Sequence, residues 1–503
     1  MATAAMATPA SKPIPYTANP LLLMVNDLML FAEITFTWPI TAGLPSIVLP
    51  LFPTRSGSLD ELAFTGPNLW AGLLHVVLII AQTIFLGSLV PLAFIGLPSF
   101  YLLYIVGFVM GNQWFSVLLN GPRHRGLFES NPACVRGRPA HDHEKWVFIN
   151  GVAVGRHWLQ ANLDRLAMTF RRPVFGIHNQ TRGIIFDVLE CIIQRDLNYA
   201  TLDIRTAYAA LIDILADDNI HKVVLILHSQ GAIEGGLVLD WLYDTVPADQ
   251  LGKLEVYTFG NAANHWNAPV ISSGAASSNA NGDGMTEQRI VPHIEHYANE
   301  GDYVSRFGIL HFRPDQPLPP ALVPHNTPLA PSSRKAYPDT PRALDNGSIT
   351  RANPPKVDTR EKVVAASSRS LLSPKTPIER INLQEEETNL FFGRLFKRVG
   401  SGHQLNQHYL DNFFEMEGID TRDLSRGRVR DGNAFMDAEA DMIVFENWDT
   451  VQAAGRRLGG RPADGRFLAY GRPTTDGRPA AGIRRIKELS RLWAYRNGGK
   501  PTD

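Results

Sequence analysis

The stretch Val223-Val224-Leu225-Ile226-Leu227-His228-Ser229-Gln230-Gly231-Ala232 decides the fold that we predict for this chain. Its run of β-branched and aliphatic residues predicts a buried strand, and the Ala-, Gly- and Leu-rich segment after it predicts a helix. A serine at such a junction, with glycine two residues on, is typical of a nucleophile elbow, a sharp turn that raises the hydroxyl above the sheet edge. Gly231, Gly235 and Gly236 would let the helix lie close to the strand.

One position departs from the usual G-x-S-x-G pattern of an elbow, because Leu227 occupies the place of the first glycine. A leucine side chain there is expected to crowd the crossing of strand and helix. The same residues are also compatible with an ordinary strand–turn–helix in which Ser229 caps the helix.

Composition bounds the possible functions. The chain has 503 residues and a net charge of −1, which argues against nucleic acid as a partner. Two cysteines, Cys134 and Cys191, are too few for a disulfide framework, so an oxidising compartment is not required.

Residues 1–66 form an N-terminal region of two parts. Residues 1–19 are rich in Ala, Thr and Pro, lack the features of a signal peptide and are expected to be disordered. The apolar stretch 20–52 is broken by charges and prolines, so we interpret it as a segment that lies in a membrane interface and does not span.

Residues 67–120 predict a membrane hairpin. No Asp, Glu, Lys or Arg occurs from Trp70 to Leu119, and a span needs about 20 apolar residues, so the run suffices for two. Pro91, Gly96 and Pro98 are natural points of reversal, which predicts helices over about 70–90 and 95–117. A buried helical pair of a soluble domain, or a cap over a substrate site, remains an alternative.

Charges on either side of the hairpin predict its orientation. Asp60 and Glu61 precede it, whereas basic residues follow it: Arg123, His124, Arg125, Arg136 and Arg138. The positive-inside bias places both flanks, and the catalytic domain with them, in the cytosol, without indicating an organelle.

Residues 140–415 predict an α/β domain with a mostly parallel sheet covered by helices on both faces. The predicted strands end near five polar or glycine residues that would then share one sheet edge: Asn150, Asn179, Ser229, Gly260 and Asp302. A last strand precedes residue 398. Segments 267–290 and 313–385 have the composition of disordered insertions into this domain.

Chemistry at that edge requires partners for Ser229. A serine hydroxyl needs a histidine to take its proton and a carboxylate to orient that histidine. Asp302 closes its strand and suits the acid. Two histidines are candidates for the base: His403 lies in a Gly-rich loop before a helix, and His408 lies inside that helix, where a structural role is favoured.

Three motifs resemble those of the class 3 lipases within the α/β-hydrolase superfamily. They are Leu-His-Ser-Gln-Gly at 227–231, Tyr-Thr-Phe-Gly-Asn at 257–261, and Asn-Glu-Gly-Asp-Tyr-Val-Ser-Arg at 299–306, followed by His403 before Tyr409. The chain departs from the family pattern at Leu227, Ala262 and Ser305. A membrane hairpin joined to such a domain resembles, more loosely, fungal membrane-associated lipase-like proteins.

The resemblance implies a serine esterase acting on lipid-like substrates, with Ser229 as nucleophile, Asp302 as acid and His403 as base. It also implies an oxyanion hole formed by the N–H of Gln230 and by that of Gly151 or Val152. Such a triad needs no cofactor. A catalytically inactive membrane scaffold of the same shape, and an acyltransferase or thioesterase with the same triad, remain alternatives, and protein partners are not indicated.

Residues 416–503 predict a polar C-terminal tail. A basic amphipathic helix over Ile483 to Tyr495 would dock on an anionic membrane or on the protein itself. Asp142 between His141 and His143 lacks a further ligand cluster, so a solvated turn is predicted there and no metal site.

Overall fold

The computed structural model describes residues 16–37, 43–122, 126–269, 289–312, 391–444, 467–472 and 485–501. Most of the two predicted insertions, 267–290 and 313–385, lies outside these residues. Residues 1–15, Arg123, His124 and Arg125 also lie outside them.

A sheet of nine strands forms the centre of the described chain, in the order β1-β3-β2-β4-β5-β6-β7-β11-β10. Seven neighbouring strands from β3 to β11 are parallel, and β1 and β10 pair antiparallel at the two edges. The predicted mostly parallel sheet is therefore confirmed. Strand bounds are β1 Phe128–Glu129, β2 Glu144–Ile149, β3 Val174–Ile177, β4 Lys222–His228, β5 Leu254–Phe259, β6 His293–Asn299, β7 Arg394–Arg398, β8 Met416–Glu417, β9 Arg428–Val429, β10 Glu439–Val444 and β11 Phe467–Arg472.

Seven longer helices accompany the sheet: α1 Pro20–Thr37, α2 Gly66–Ile95, α3 Pro98–Asn120, α4 Arg156–Phe170, α5 Ile184–Leu197, α6 Leu202–Ala216 and α7 Gln230–Thr245. Short helices are α8 Ala248–Leu251, α9 Tyr303–Phe307, α10 Ile309–Phe312, α11 Asp411–Phe413, α12 Ile486–Leu489 and α13 Arg491–Ala494. A π-helical turn, Leu405–Leu410, leads directly into α11.

The sheet is buried on both faces, as a run of apolar residues without alternation predicts. Along β4, Val224 and Ile226 pack with α4 and with aromatic residues of the C-terminal part of the chain. Val223, Leu225 and Leu227 point the other way and pack with α6 and α7.

The helices α2 and α3 coincide with the predicted hairpin: α2 is longer at both ends than the predicted 70–90, and α3 has the predicted length but begins three residues later. Both are long and apolar enough to cross a membrane, and only 28% and 17% of their most apolar windows are buried. That exposure disfavours a buried helical pair of a soluble domain. The chain reverses at Gly96 and Leu97, and Pro91 lies within α2.

The described parts of the two terminal regions pack on the same body as the sheet. Helix α1 packs on α5 and α9. In the C-terminal region, Ile486, Leu492 and Trp493 belong to the same buried core as the apolar side chains of α4. Two short helices, α12 and α13, replace the single amphipathic helix. Buried carboxylates of the sheet attract this segment: the Arg491 guanidinium donates to Glu255 at 2.9 Å.

The crossing of β4 and α7 shows how the chain accommodates Leu227. A Cβ atom on Gly235 would lie 2.3 Å from Cδ1 of Leu227, so the leucine side chain occupies the space that this glycine leaves. A Cβ atom on Gly231 would lie 2.5 Å from the carbonyl oxygen of Ile149. Gly235 therefore compensates for the glycine that the strand lacks at Leu227, while Gly231 lets the start of α7 lie against the end of β2.

We expect Gly235→Ala to lower the free energy of unfolding by about 1–3 kcal/mol, because the new methyl group overpacks Leu227. Gly236→Ala is the matched control: its Cβ would meet Trp266 at an ordinary 3.5 Å, and alanine is favoured over glycine inside a helix. Urea unfolding in detergent micelles measures both. The double variant Leu227→Ala, Gly235→Ala should lose less free energy of unfolding than the two single variants together, because the smaller side chain makes room for the new methyl group. Strictly additive losses would contradict the contact between the two residues.

Candidate active site

Ser229 lies at a strained turn between β4 and α7. Its φ and ψ are 58° and −123°, a conformation that is rare for a residue with a side chain and that occurs where surrounding structure enforces it. A Cβ atom on Gly151 would lie 2.4 Å from Cβ of Ser229, so the loop after β2 lies directly against the serine. This geometry is that of a nucleophile elbow.

The three side chains predicted as nucleophile, base and acid are in hydrogen-bond contact. The Oγ atom of Ser229 lies 2.8 Å from Nε2 of His403, and Nδ1 of His403 lies 2.9 Å from Oδ2 of Asp302. Because an ionised carboxylate only accepts, Nδ1 carries the proton and Nε2 is left to accept from the serine hydroxyl. The arrangement can therefore remove the proton of Ser229 as the hydroxyl attacks an electrophile.

Asp302 is held in its ionised form. Its Oδ2 atom accepts from the hydroxyls of Tyr409 at 2.6 Å and Ser305 at 3.0 Å, and Oδ1 accepts from the N–H of Val304 at 2.8 Å. Burial by itself raises the pKa of this carboxyl, but the charge of His403 and these hydrogen bonds outweigh it, so the pKa falls below the ordinary 3.8. A fixed negative charge consequently faces the imidazole.

His403 is oriented by neighbours that the sequence analysis did not assign. Nε2 of His228 donates to the carbonyl oxygen of His403 at 2.8 Å, and the two rings stack with centroids 4.7 Å apart. Burial, reinforced by the charge of His403, lowers the pKa of His228 to about 3, so this ring is neutral. Gly260, with φ of 57°, leaves room for His403, since a Cβ there would lie 2.9 Å from its Cε1.

The second candidate base, His408, does not contact Ser229. Its Nδ1 accepts from the N–H of Gln404 at 3.0 Å and its Nε2 donates to the carbonyl of Pro50 at 2.8 Å. Both ring nitrogens are thus used to hold the loop that carries His403.

A segment before the hairpin also holds the loops that carry His403 and Asp302. Oε1 of Glu61 accepts from the N–H of Asn406 at 2.9 Å, and the carbonyl of Ile47 accepts from Gln404. The hydroxyl of Ser46 accepts from the N–H of Tyr303, next to Asp302. Sequence reasoning missed these contacts because the partners are more than 250 residues apart.

The predicted oxyanion-hole residues lie beside the serine. Gln230 is the first residue of α7, so its N–H is one of those without a partner inside the helix. Its side chain is fixed by Asn179, which donates to Oε1 at 2.8 Å, and by Gln194. Gly151 contacts Ser229 and Val152 follows it in the same turn. That the N–H of Gly151 or that of Val152 completes the oxyanion hole stays a prediction.

The hairpin holds the two loops that border this site. His75 donates to the carbonyl of Ala153 at 2.9 Å. Gln82 and Asn112 both donate to the carbonyl of Arg182, at 2.7 and 2.8 Å, and Asn120 donates to Thr181. The loops that follow β2 and β3 are therefore bound to the apolar helices by their polar side chains, and the hairpin is part of the framework of the site.

The site is shielded from water, since Ser229, Asp302 and His403 are 4%, 0% and 6% exposed. Electrostatic interactions are stronger in such surroundings than in water. Among the described residues, no group of three or more His, Cys, Asp or Glu could hold a metal ion.

We expect Tyr409→Phe to lower the free energy of unfolding at pH 7 by about 1.5–3 kcal/mol, because Asp302 loses a charge-assisted hydrogen bond. The depressed pKa of Asp302 means that its ionised form stabilises the fold above pH 3.8, and that this contribution is lost as the pH falls through the lower folded value. The difference in stability between the variant and the parent should therefore shrink as the pH falls below about 3.8.

Urea unfolding between pH 7 and pH 3 tests the effect of Tyr409→Phe. Tyr243→Phe is the control, since that hydroxyl donates to a neutral carbonyl, of Asn267, and its loss should cost the same at each pH. A cost of Tyr409→Phe that does not change with pH would contradict the account of Asp302.

Comparison with protein-family models, with curated proteins and with solved structures finds no match for this chain.

Proposed function

We propose that this chain is a membrane-associated serine hydrolase that cleaves carboxyl esters of lipid-like substrates. The continuous contact from Ser229 through His403 to Asp302 is the observation that supports it most directly. The order of the three residues along the chain, Ser–Asp–His, and the strained turn at Ser229 also agree with an α/β-hydrolase of the class 3 lipase type.

In the proposed reaction, Oγ of Ser229 attacks the ester carbonyl while Nε2 of His403 takes its proton. The negative charge that develops on the carbonyl oxygen is stabilised by the N–H of Gln230 together with that of Gly151 or Val152. His403 then protonates the leaving alcohol, and water releases the acyl group from Ser229 with His403 again as base. The ionised Asp302 stabilises the imidazolium in both steps, and no cofactor is required.

Two features favour a membrane-dissolved substrate. Both helices of the hairpin are long and apolar enough to cross a membrane, and their few polar side chains hold the loops beside Ser229. An ester that partitions into a membrane would therefore be concentrated where the site is. We place the catalytic domain on the cytosolic side, because basic residues follow the hairpin and the two cysteines are free.

An inactive scaffold is the less favoured reading of the same residues. Its main support was Leu227, but Gly235 provides the space that this side chain needs. A scaffold also gives no reason for three buried polar groups to be aligned within hydrogen-bond distance of one another.

Ser229→Ala should abolish labelling by a fluorophosphonate probe and lower hydrolysis of short-chain nitrophenyl esters by at least about 10³-fold, because the nucleophile is lost. Undiminished labelling of that variant would refute the proposal.

A pair of histidine variants separates the two candidate bases. His403→Ala should lower ester hydrolysis about as much as Ser229→Ala does, since the residues act as a unit. His408→Ala should lower the unfolding midpoint while reducing the rate less than about tenfold, because its ring holds the loop and does not reach Ser229. If His408→Ala lowered the rate of ester hydrolysis more than about tenfold, the assignment of the base to His403 would be contradicted.

A further inference from the structure

We propose that α1, α5 and the hairpin form one surface immersed in a single leaflet of a lipid bilayer, and that the hairpin turns inside the hydrocarbon without crossing it. The occupant of this surface is the acyl-chain region of that leaflet. The inference concerns the contact of the chain with the membrane and does not depend on the proposed hydrolase activity.

Helix α5 has an inverted distribution of polar and apolar residues. Its charged and amide side chains face the protein and are buried: Asp187, Glu190, Gln194, Arg195 and Asp196. Its outward side chains are apolar and at least 40% exposed: Val188, Leu189, Ile193 and Leu197. A helix on a water-exposed surface shows the opposite arrangement. Lipid is therefore the environment that fits the outer face of α5.

The inward polar groups of α5 are paired or neutralised. Nη2 of Arg195 donates to Oδ1 of Asp27 at 2.6 Å. Burial raises the pKa of Glu190 to about 7. Burial, with the nearby charge of Asp27, raises that of Asp196 to about 8. The ionisable side chains of α5 therefore lie on the face that packs against the protein, and the outward face of the helix carries none.

Helix α1 extends the same surface. Asp27 points inward to Arg195, whereas the outward residues of α1 are more than half exposed and apolar: Leu21, Leu22, Val25, Leu28, Met29 and Phe36. Since α1 packs on α5 and α5 packs on α2, the exposed apolar faces of these helices are neighbours. They form what we call the leaflet surface, the outward residues of α1 and α5 named above.

The contacts between the hairpin and the domain set the depth of insertion. The rings of Phe85 and Phe108 stack 4.0 Å apart, and both meet the ring of Phe186 at the start of α5, about 6 Å away. Beyond this cluster each helix continues for roughly ten residues, or about 15 Å at the rise of an α-helix. The hydrocarbon core is about 30 Å thick, so the hairpin reaches about its middle.

The turn of the hairpin suits hydrocarbon better than water. Phe94, Ile95, Leu97 and Phe100 are each at least 65% exposed there. The N–H of Gly96 bonds to Leu92, and Pro98 has no N–H to satisfy, which limits the unpaired backbone donors that lipid would penalise. A turn that emerged on the far side would place four large apolar side chains in water.

Cysteine labelling of the full chain in phosphatidylcholine vesicles tests this placement. In a Cys134→Ala, Cys191→Ala background, Leu97→Cys should react at least about tenfold more slowly than Asp218→Cys with a charged maleimide supplied to both faces. Asp218 is exposed at the opposite end of the sheet. Detergent should restore the reaction at Leu97→Cys. Fast reaction in intact vesicles would overturn the proposal, because the turn would then be in water.

Depth-dependent quenching tests the leaflet surface separately. Bimane attached to Leu189→Cys or Leu28→Cys should be quenched most by lipids with a nitroxide on the upper part of the acyl chain, and bimane at Leu97→Cys by lipids with a nitroxide near the chain end. Bimane at Asp218→Cys should not be quenched. Unquenched bimane on α1 and α5 would overturn the leaflet surface. Because neither readout measures ester cleavage, failure here and failure of the proposed hydrolase are distinguishable.

Discussion

The close approach of helix α7 to strand β4 is the constraint on which the rest of the structure depends. Ser229 can adopt its strained backbone only because the helix begins at once and runs tightly over the strands. Gly231 meets the carbonyl of Ile149 and Gly235 meets the side chain of Leu227. If the helix were displaced, the serine hydroxyl would leave the position from which it contacts His403.

The remaining parts of the site hold the partners of Ser229 at that fixed point. Asp302 lies three residues after the end of β6, where it caps α9. It is surrounded by donors, so its charge is retained although it is fully buried. His403 is held through its backbone carbonyl by the neutral His228, which leaves the ring free to bond on both sides. The segment before the hairpin binds the chain just after His403, through hydrogen bonds of Glu61 to Asn406 and of Pro50 to His408.

The hairpin connects this polar site to an apolar environment. Gln82 and Asn112 are amides on otherwise apolar helices, where an unpaired polar group is costly, and both bind the carbonyl of Arg182. The same bonds that satisfy the helices therefore fix a loop at the carboxyl edge of the sheet. In this way a candidate membrane segment and a candidate active site share their structural framework.

The six strands β2 to β7 and the three aligned residues could be predicted because their signals are local or depend on topology alone. Apolar runs mark buried strands, and the carboxyl ends of parallel strands meet at one edge, so Ser229 and Asp302 had to be near each other once the sheet was parallel. The Gly-rich loop before a helix similarly marked His403. Tyr409 and His228 were visible beside these motifs, but no local pattern distinguishes a positioning side chain from a core one.

The sequence by itself determined the order of strands β2 to β7 and of the helices between them, the serine junction and the apolar hairpin, because each follows from the periodicity or composition of adjacent residues. Tertiary structure alone decided three things. These are the compensation of Leu227 by Gly235, the inclusion of both terminal regions in the same body, and the inward direction of the charges of α5. Each depends on which surfaces meet, and such contacts join residues too distant along the chain for a local pattern to record.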